Sequence, residues 1–244
     1  MKIKTITFND WVIYQPAHED FQLEKLLELN NQDPDYVLRN HHRSQVNRID
    51  YQGNSYVIKT PNNKNNSAWI RFTTLYRDSE VLKNLKSQLL LNSLKISTVK
   101  PVAALENRKF GMVVDSRIIY HYREGTEISV KHFPLMVSIM NALHSNGYLH
   151  DDPHTKNFLQ KNDEVFVIDC KPRNNIFGQA GIAHNFITLA RRSGDPQEVY
   201  KLIGASPSTN TLYQIINTLI NSQQFRRSIK NRIKLFLGID YKHR

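Results

Sequence analysis

Residues 148–171 read YLHDDPHTKNFLQKNDEVFVIDCK and carry a particular order of polar side chains. A carboxylate and an amide, Asp152 and Asn157, lie five residues apart, and Asp169 follows twelve residues after Asn157. The β-prone runs at 157–159 and 165–168 predict a short hairpin between them. Such a hairpin would return Asp169 to a position beside Asn157.

This order of carboxylate, amide, hairpin and carboxylate is that of the catalytic loop in kinase-type phosphotransferases. In the pattern His-x-Asp-x-x-x-x-Asn, the aspartate accepts the proton of the attacking hydroxyl and the asparagine binds Mg²⁺. His150, Asp152 and Asn157 occupy those positions, and Asp169 would be a second Mg²⁺ ligand. Asp and Asn also favour ordinary surface turns, but the helix predicted before the loop and the hairpin after it favour the catalytic interpretation.

The helix predicted over residues 134–146 would present this loop from a rigid element. Pro134 suits the first turn of a helix, and Asn146 with Gly147 is a typical stop signal. Apolar residues recur at the spacing of a buried helix face, at Met136, Ile139, Met140 and Leu143.

A second candidate site element lies in the first half of the chain. The β-prone runs 45–50 and 55–59 flank a Gly-Asn turn and predict a hairpin that ends in Lys59. A lysine at this place is typical of the residue that contacts the α- and β-phosphates of ATP, although many strand-end lysines are merely solvated. Glu80, in the mostly helical stretch 67–93, is the candidate ion-pair partner of Lys59; Asp78 is its rival, and a solvated helix face is the alternative.

These elements together predict an α+β, two-lobed protein-kinase-like fold with a reduced C-lobe. A β-rich N-lobe would cover residues 1–122, including the helix near 67–93, and a helical C-lobe with the loop 148–171 would cover residues 123–244. We expect five strands in the N-lobe and a hinge near residues 121–123. Short helices are predicted at 19–29, 183–192 and 211–221, strands at 3–8 and 11–14, and an irregular segment after Asp169.

Composition limits the cellular context. The 244 residues include one cysteine, Cys170, so an internal disulfide is excluded and a reducing cytoplasm is expected. We expect no membrane span, because no apolar run is long enough, and no secretory signal. The formal net charge of +11 attracts polyanions, whether nucleic acid, anionic membranes or a phosphorylated substrate; charge alone does not choose among them.

The last predicted helix, residues 223–237, is basic and amphipathic. Phe225, Ile229, Ile233 and Phe236 would lie on one side, and Arg226, Arg227, Lys230 and Lys234 on the other. Such a helix can lie on anionic headgroups, but docking on its own domain is the favoured expectation.

Three segments resemble the lipopolysaccharide core heptose kinases, bacterial enzymes with a reduced protein-kinase-like fold. The segments are 141–147 (NALHSNG), 152–158 (DPHTKNF) and 165–169 (VFVID), and a weaker resemblance continues through the hairpin that ends at Lys59. The resemblance implies that Asp152 is the catalytic base, that Asn157 and Asp169 bind Mg²⁺, and that Lys59 contacts ATP. The segment 40–46 before Lys59 contains no glycine, so His or Arg side chains would replace backbone amides at the phosphates.

The resemblance further implies an ATP- and Mg²⁺-dependent kinase that phosphorylates a heptose of the lipopolysaccharide inner core. It would act in the cytoplasm, with peripheral contact to the inner-membrane surface and no nucleic acid partner. Two alternatives stay open. One is a kinase of another hydroxylated molecule, such as Kdo or an aminoglycoside, and the other is a pseudokinase that binds nucleotide or lipid without turnover.

Overall fold

The computed structural model describes residues 2–19 and 21–236, without the side chains of residues 23, 24 and 232–236. The first half of the chain forms one antiparallel sheet in the order β1-β2-β6-β7-β5-β4-β3. Its strands are β1 (Ile3–Phe8), β2 (Trp11–Pro16), β3 (Tyr36–His41), β4 (Ser44–Tyr51), β5 (Asn54–Thr60), β6 (Pro101–Lys109) and β7 (Met112–His121). The expected five strands are therefore wrong: the hairpin β1–β2 extends one edge of the sheet, and β3 extends the other.

The sheet is covered by a helix on each face. Neighbouring residues of a strand point to opposite faces, and Ile118 and Ile119 of β7 are both completely buried. Ile119 packs in the cluster that contains Leu26 of helix α1 (Leu23–Asn31), whereas Ile118 packs with Leu85 of helix α4. The helix expected at 19–29 begins at Leu23 in the structure, and Asp20 lies outside the described residues.

The stretch 67–93 is mostly helical, as predicted, and contains two helices separated by residues 74–79. Helix α2 (Asn62–Asn65) and helix α3 (Ala68–Thr73) precede helix α4 (Glu80–Ser93). The side chain of Ser79 accepts a hydrogen bond from the Leu82 amide at 3.2 Å and caps α4. Glu80 therefore occupies the first turn of α4.

The second half is mainly helical. It comprises β8 (Thr126–Glu127), α5 (Phe133–Ser145), β9 (Tyr148–His150), β10 (Phe158–Lys161), β11 (Glu164–Val167), β12 (Pro172–Asn174), α6 (Gln179–Arg191), α7 (Pro196–Ile203) and α8 (Thr211–Phe236). The predicted hairpin is present as β10–β11, and Met136, Met140 and Leu143 of α5 are completely buried. The α+β, two-lobed protein-kinase-like fold is confirmed; the lobe boundary after residue 122 stays a prediction.

Two local features of this half differ from the sequence-based expectations. The segment after Asp169 is not irregular, because β12 pairs antiparallel with β9. Helix α7 was not predicted, although Asp195 caps it through the Glu198 amide at 3.1 Å and Pro196 opens it.

The predicted helices 211–221 and 223–237 form one continuous helix, α8. Phe225 is 68% exposed and Ile229 is 41% exposed, so the docking expectation is wrong for this part of the helix. The side chains of Ile233, Lys234 and Phe236 lie outside the described set, as does Leu237. Among the described helices, none has the length and hydropathy needed to cross a membrane.

A buried amide from α6 fixes the strand that leads into the loop. Asn185 accepts a hydrogen bond from the His150 amide at 3.0 Å and donates one to the His150 carbonyl at 2.8 Å. The Oδ1 atom of Asn185 also accepts a hydrogen bond from Nε2 of His144 at 3.0 Å, which sets the tautomer of that buried ring. One side chain therefore satisfies three buried groups on α5 and β9.

We expect Asn185→Ala to lower the free energy of unfolding by about 3 kcal/mol, because two backbone groups and a histidine lose buried partners. Urea denaturation measures this change. Asn146→Ala is the matched control, since Asn146 makes one exposed hydrogen bond, to Ala142, and its loss should cost less than about 1 kcal/mol. Equal effects of the two substitutions would contradict this role of Asn185.

Candidate active site

An ion pair joins the sheet to the hairpin of the second half. Lys59 lies in β5, opposite Val46 on one side and Ile118 on the other. Its Nζ atom contacts Oδ2 of Asp169 at 2.8 Å. Burial by itself would raise the pKa of Asp169, but the charge and hydrogen bond of Lys59 outweigh it, and Lys171 adds to the effect, so the pKa lies below its ordinary value. Asp169 is thus held as a carboxylate at the edge of the cleft.

Glu80 has a different partner from the one expected. Its carboxylate forms an ion pair with Lys171, two residues after Asp169, and not with Lys59. The pKa of Lys171 is raised, because Glu80 and Asp169 outweigh the opposing effect of burial. Asp78, the rival, pairs instead with Lys86 at 2.6 Å on the surface. The predicted Lys59–Glu80 pair is therefore replaced by two pairs, Lys59–Asp169 and Glu80–Lys171.

The loop brings Asp152 and Asn157 to this cleft. The Asn157 side-chain amide donates to the Asp152 carbonyl at 2.8 Å, and the Ile168 amide donates to the Asn157 carbonyl at 3.0 Å. The second bond fixes Asn157 directly beside the strand end that carries Asp169. The Asp152 side chain is 60% exposed and forms an ion pair with Arg192 at the end of α6.

His150 supports the backbone of the loop from inside. It is 1% exposed, and its Nδ1 atom accepts a hydrogen bond from the Asp152 amide at 3.2 Å. Burial lowers the pKa of His150 to about 4, against the opposing charges of Asp151, Asp169 and Asp152. His154 accepts from the Lys156 amide at 3.1 Å and caps the short 3₁₀ turn that ends at Asn157.

An apolar pocket of about 300 Å³ lies between the two halves of the chain. Lys59, Asn157 and Asp169 line one end of it, and its walls are mostly apolar. The wall residues include Val46, Val57, Val99, Tyr120, Leu159 and Ile168, with the backbone segment 121–123 alongside. A second pocket of about 380 Å³ adjoins Lys59 and adds Arg43 and Lys64. The glycine-free turn between β3 and β4 thus places an arginine near Lys59.

Asp152 lines a third pocket, which has a volume of about 440 Å³ and is basic. Its lining includes Arg173 of β12, His184 of α6 and Arg227 of α8. Arg191 and Arg192 also line it, and Arg191 donates to Asn217 of α8 at 2.6 Å. Sequence reasoning noted Arg191 and Arg192 only as a helix end, because their nearness to Asp152 depends on the tertiary fold.

We expect a double-mutant cycle to detect the exchanged pairing. Glu80→Gln and Lys171→Met should couple by about 1 kcal/mol in the free energy of unfolding, because the two side chains contact each other and are partly buried. A matched cycle of Glu80→Gln with Lys59→Met should show coupling near zero. If the coupling energy of Glu80 with Lys59 were larger than that of Glu80 with Lys171, the predicted Lys59–Glu80 ion pair would be supported instead.

The buried His150 should also make stability depend on pH. Its folded pKa of about 4 is below the ordinary value of 6.5, so only the unfolded chain binds this proton between those values. Stability is therefore expected to fall as pH drops from 6.5 towards 4, by an amount on the order of 3 kcal/mol.

Urea denaturation across this pH range tests the expectation. His150→Asn should flatten the slope, and His18→Asn, which changes a histidine whose side chain is 68% exposed, should leave it intact. An unchanged slope in His150→Asn would exclude His150 as its source.

The family model described as "Lipopolysaccharide core biosynthesis protein (WaaY)" matches residues 2–204. No curated protein matches the sequence. Among solved structures, WaaP in complex with acyl carrier protein is similar with a TM-score of 0.48 and 12% identity, over 87% of this chain and 91% of that one. Two variants of the Mycobacterium tuberculosis PknI kinase domain are similar with a TM-score of 0.39 and 14% identity, over 66% of this chain and 72% of theirs.

The family match covers most of the sequence, including every candidate site residue and the three segments on which the resemblance was based. It therefore confirms the resemblance at the level of the family. The chain belongs to the WaaY family of lipopolysaccharide core biosynthesis proteins.

Proposed function

We propose that the protein transfers the γ-phosphoryl group of ATP to a heptose hydroxyl of the lipopolysaccharide inner core. The observation that carries this proposal is the position of the loop between two unlike pockets. Asn157 and Asp169 border the apolar pocket, whereas Asp152 borders the basic pocket. A nucleotide in the first pocket and an anionic acceptor in the second would meet at this loop.

The apolar pocket suits the adenine of ATP. Its valine, leucine and isoleucine side chains provide apolar walls for the base. The amides of His121 and Tyr122 already donate to the carbonyls of Lys100 and Ser55, so the amide of Arg123 would be the donor to the base. Lys59 stands at the phosphate end and, with the charges of Arg43 and Lys64 nearby, would attract the triphosphate. In this proposal Lys59 exchanges Asp169 for phosphate oxygens when the nucleotide binds.

The residues present fit a magnesium ion. Mg²⁺ prefers oxygen ligands and is usually bound by one or two protein groups together with phosphates and waters. Asp169 offers carboxylate oxygens, and the orientation of Asn157, with its amide nitrogen donating to Asp152, leaves Oδ1 available. The bound ion would neutralise the charge that develops on the transferred phosphoryl group.

In this proposal Asp152 would receive the proton of the acceptor hydroxyl. Arg192 contacts one carboxylate oxygen, Oδ1, and so orients the side chain while the second oxygen remains for the hydroxyl. The hydrogen bond from the Asp152 amide to His150 fixes the backbone beneath it. Positioning and electrostatic stabilisation supply most of the catalysis in phosphoryl transfer, so the proposed mechanism requires a fixed carboxylate at the acceptor pocket, in the same loop as Asn157, which borders the nucleotide pocket.

The basic pocket favours an anionic acceptor over the cationic alternative. Arg173, Arg191 and Arg227 would attract phosphate or carboxylate groups of the inner core and repel an aminoglycoside. Kdo carries a carboxylate and remains the second candidate. A pseudokinase is disfavoured because Lys59, Asp152, Asn157 and Asp169 are all retained at the cleft.

A lipopolysaccharide acceptor is anchored in a lipid layer. The proposal therefore includes action in the cytoplasm with peripheral contact to the inner-membrane surface, and no nucleic acid partner. Consumption of ATP in the presence of purified core oligosaccharide, Kdo or an aminoglycoside tests the choice of acceptor. We expect rapid consumption only with the core oligosaccharide; a preference for Kdo or an aminoglycoside would replace the heptose assignment.

We predict opposite kinetic signatures for the two aspartates. Asp152→Asn should lower kcat by roughly 10²–10⁴ while Mg·ATP affinity is nearly unchanged, because a positioned base acts in the transition state. Asp169→Ala should instead abolish Mg²⁺-dependent ATP binding in a calorimetric titration. Asp163→Asn, at a site whose side chain is 94% exposed, is the control for both. Near-normal turnover in Asp152→Asn would remove this residue from the mechanism.

A further inference from the structure

The outer face of α8 carries exposed apolar side chains. Ile215 and Leu219 are 53% and 54% exposed, and Phe225 and Ile229 are 68% and 41% exposed. At 3.6 residues per turn, these four residues lie within roughly a third of the helix circumference. They form one stripe, which we call the outer stripe, along a single side of the helix.

The opposite face of α8 is attached to the protein. Tyr213 and Ile220 are each 9% exposed and belong to the core of the second half. Gln223, Gln224 and Arg227 line the basic pocket next to Asp152. The same helix is therefore a wall of the candidate acceptor site on one face and an uncovered apolar surface on the other.

The charged residues of α8 near the outer stripe are all basic. Arg226 and Lys230 are exposed and lie beside the stripe on the helix surface. The sequence of α8, TLYQIINTLINSQQFRRSIKNRIKLF, contains five basic residues and no aspartate or glutamate. Long basic side chains next to exposed apolar groups are typical of helices that lie in an anionic lipid interface.

We propose that the outer stripe, with Arg226 and Lys230, binds the surface of an anionic lipid layer. Pairing with a second copy through this face would bring two strongly basic helices together, which like-charge repulsion disfavours. If α8 lies on the lipid surface, the side of the basic pocket that contains Arg227 would face a membrane-anchored acceptor. The identity of the acceptor rests on the proposed function, whereas lipid binding by this face does not.

Another exposed apolar group competes for this role. Trp69 stacks on Phe72 at the surface of the sheet lobe, with ring centroids 6.0 Å apart, and Tyr76 meets Phe72 edge to face at 6.2 Å. This aromatic group lies in and after α3, and none of its residues borders the basic pocket. Substitutions in the aromatic group therefore distinguish a specific role of α8 from general surface hydrophobicity.

Co-sedimentation of the full chain with vesicles tests the proposal. Phosphatidylglycerol-containing vesicles should bind the wild type, and pure phosphatidylcholine vesicles should bind it much more weakly. Arg226→Gln with Lys230→Gln should weaken binding roughly 25-fold, about five-fold for each charge. Phe225→Gln with Ile229→Gln should weaken it by about 10-fold or more, because the apolar insertion is lost.

Matched controls keep the result specific. Lys109→Gln with Lys131→Gln removes two charges elsewhere, and Trp69→Gln with Phe72→Gln alters the aromatic group; both should retain binding within about two-fold. Unchanged binding in the α8 variants, or loss confined to the aromatic-group variant, would overturn the proposal. A dimer that Phe225→Gln with Ile229→Gln dissociates, without any vesicle binding, would assign the stripe to a second copy.

An activity measurement separates this inference from the proposed kinase function. With core oligosaccharide freed from its lipid, the α8 variants should match the wild type; with the acceptor embedded in anionic vesicles, their kcat/KM should fall in parallel with binding. Equal activity on both acceptors, despite weaker vesicle binding, would contradict delivery of the acceptor by α8. Absence of turnover with either acceptor in the wild type would remove the proposed function and leave the vesicle result intact.

Discussion

The contact between Lys59 and Asp169 is the constraint on which the cleft depends. It joins residues 110 positions apart in the chain, one near the end of the interior strand β5 and one just after the β10–β11 hairpin. The side chains are 23% and 45% exposed, so the pair by itself adds little to stability. Its importance is positional, because it keeps an amine and a carboxylate facing each other at the mouth of the apolar pocket. In the proposed reaction, phosphates and a cation would compete for its two members, and so weak a pair can separate at modest cost.

The hydrogen bonds and the hairpin that support the site are stronger and more deeply buried than the Lys59–Asp169 ion pair. Asn185 fixes both backbone groups of His150, and His150 in turn accepts from the Asp152 amide. The β10–β11 hairpin brings Asn157 and Asp169 to adjacent positions. The carboxylate of Asp152 is therefore exposed, whereas the backbone that carries it is held by buried hydrogen bonds. Exposed side chains on a fixed backbone suit the proposed site, because its reactive groups must exchange partners while the backbone stays in place.

Local sequence order was sufficient to predict the loop, because Asp152, Asn157 and Asp169 are related by a turn and a hairpin. It was not sufficient to predict ion-pair partners. Glu80 is paired with Lys171, and Asp152 with Arg192, across separations that no local pattern encodes. Helix α7 was not predicted, although the Asp195-Pro196 dipeptide is a good helix start. The exposure of Phe225 and Ile229 could not be predicted either, since amphipathic periodicity does not specify which side is covered.

In the proposed reaction, the γ-phosphoryl group passes from a nucleotide between the lobes to a sugar hydroxyl next to Asp152. The most direct measurement is phosphorus NMR of purified inner-core oligosaccharide after incubation with the protein and Mg·ATP. The account predicts one new phosphomonoester signal whose proton correlations assign it to a heptose. Release of inorganic phosphate without a new sugar phosphomonoester, or a phosphomonoester assigned to Kdo, would contradict it.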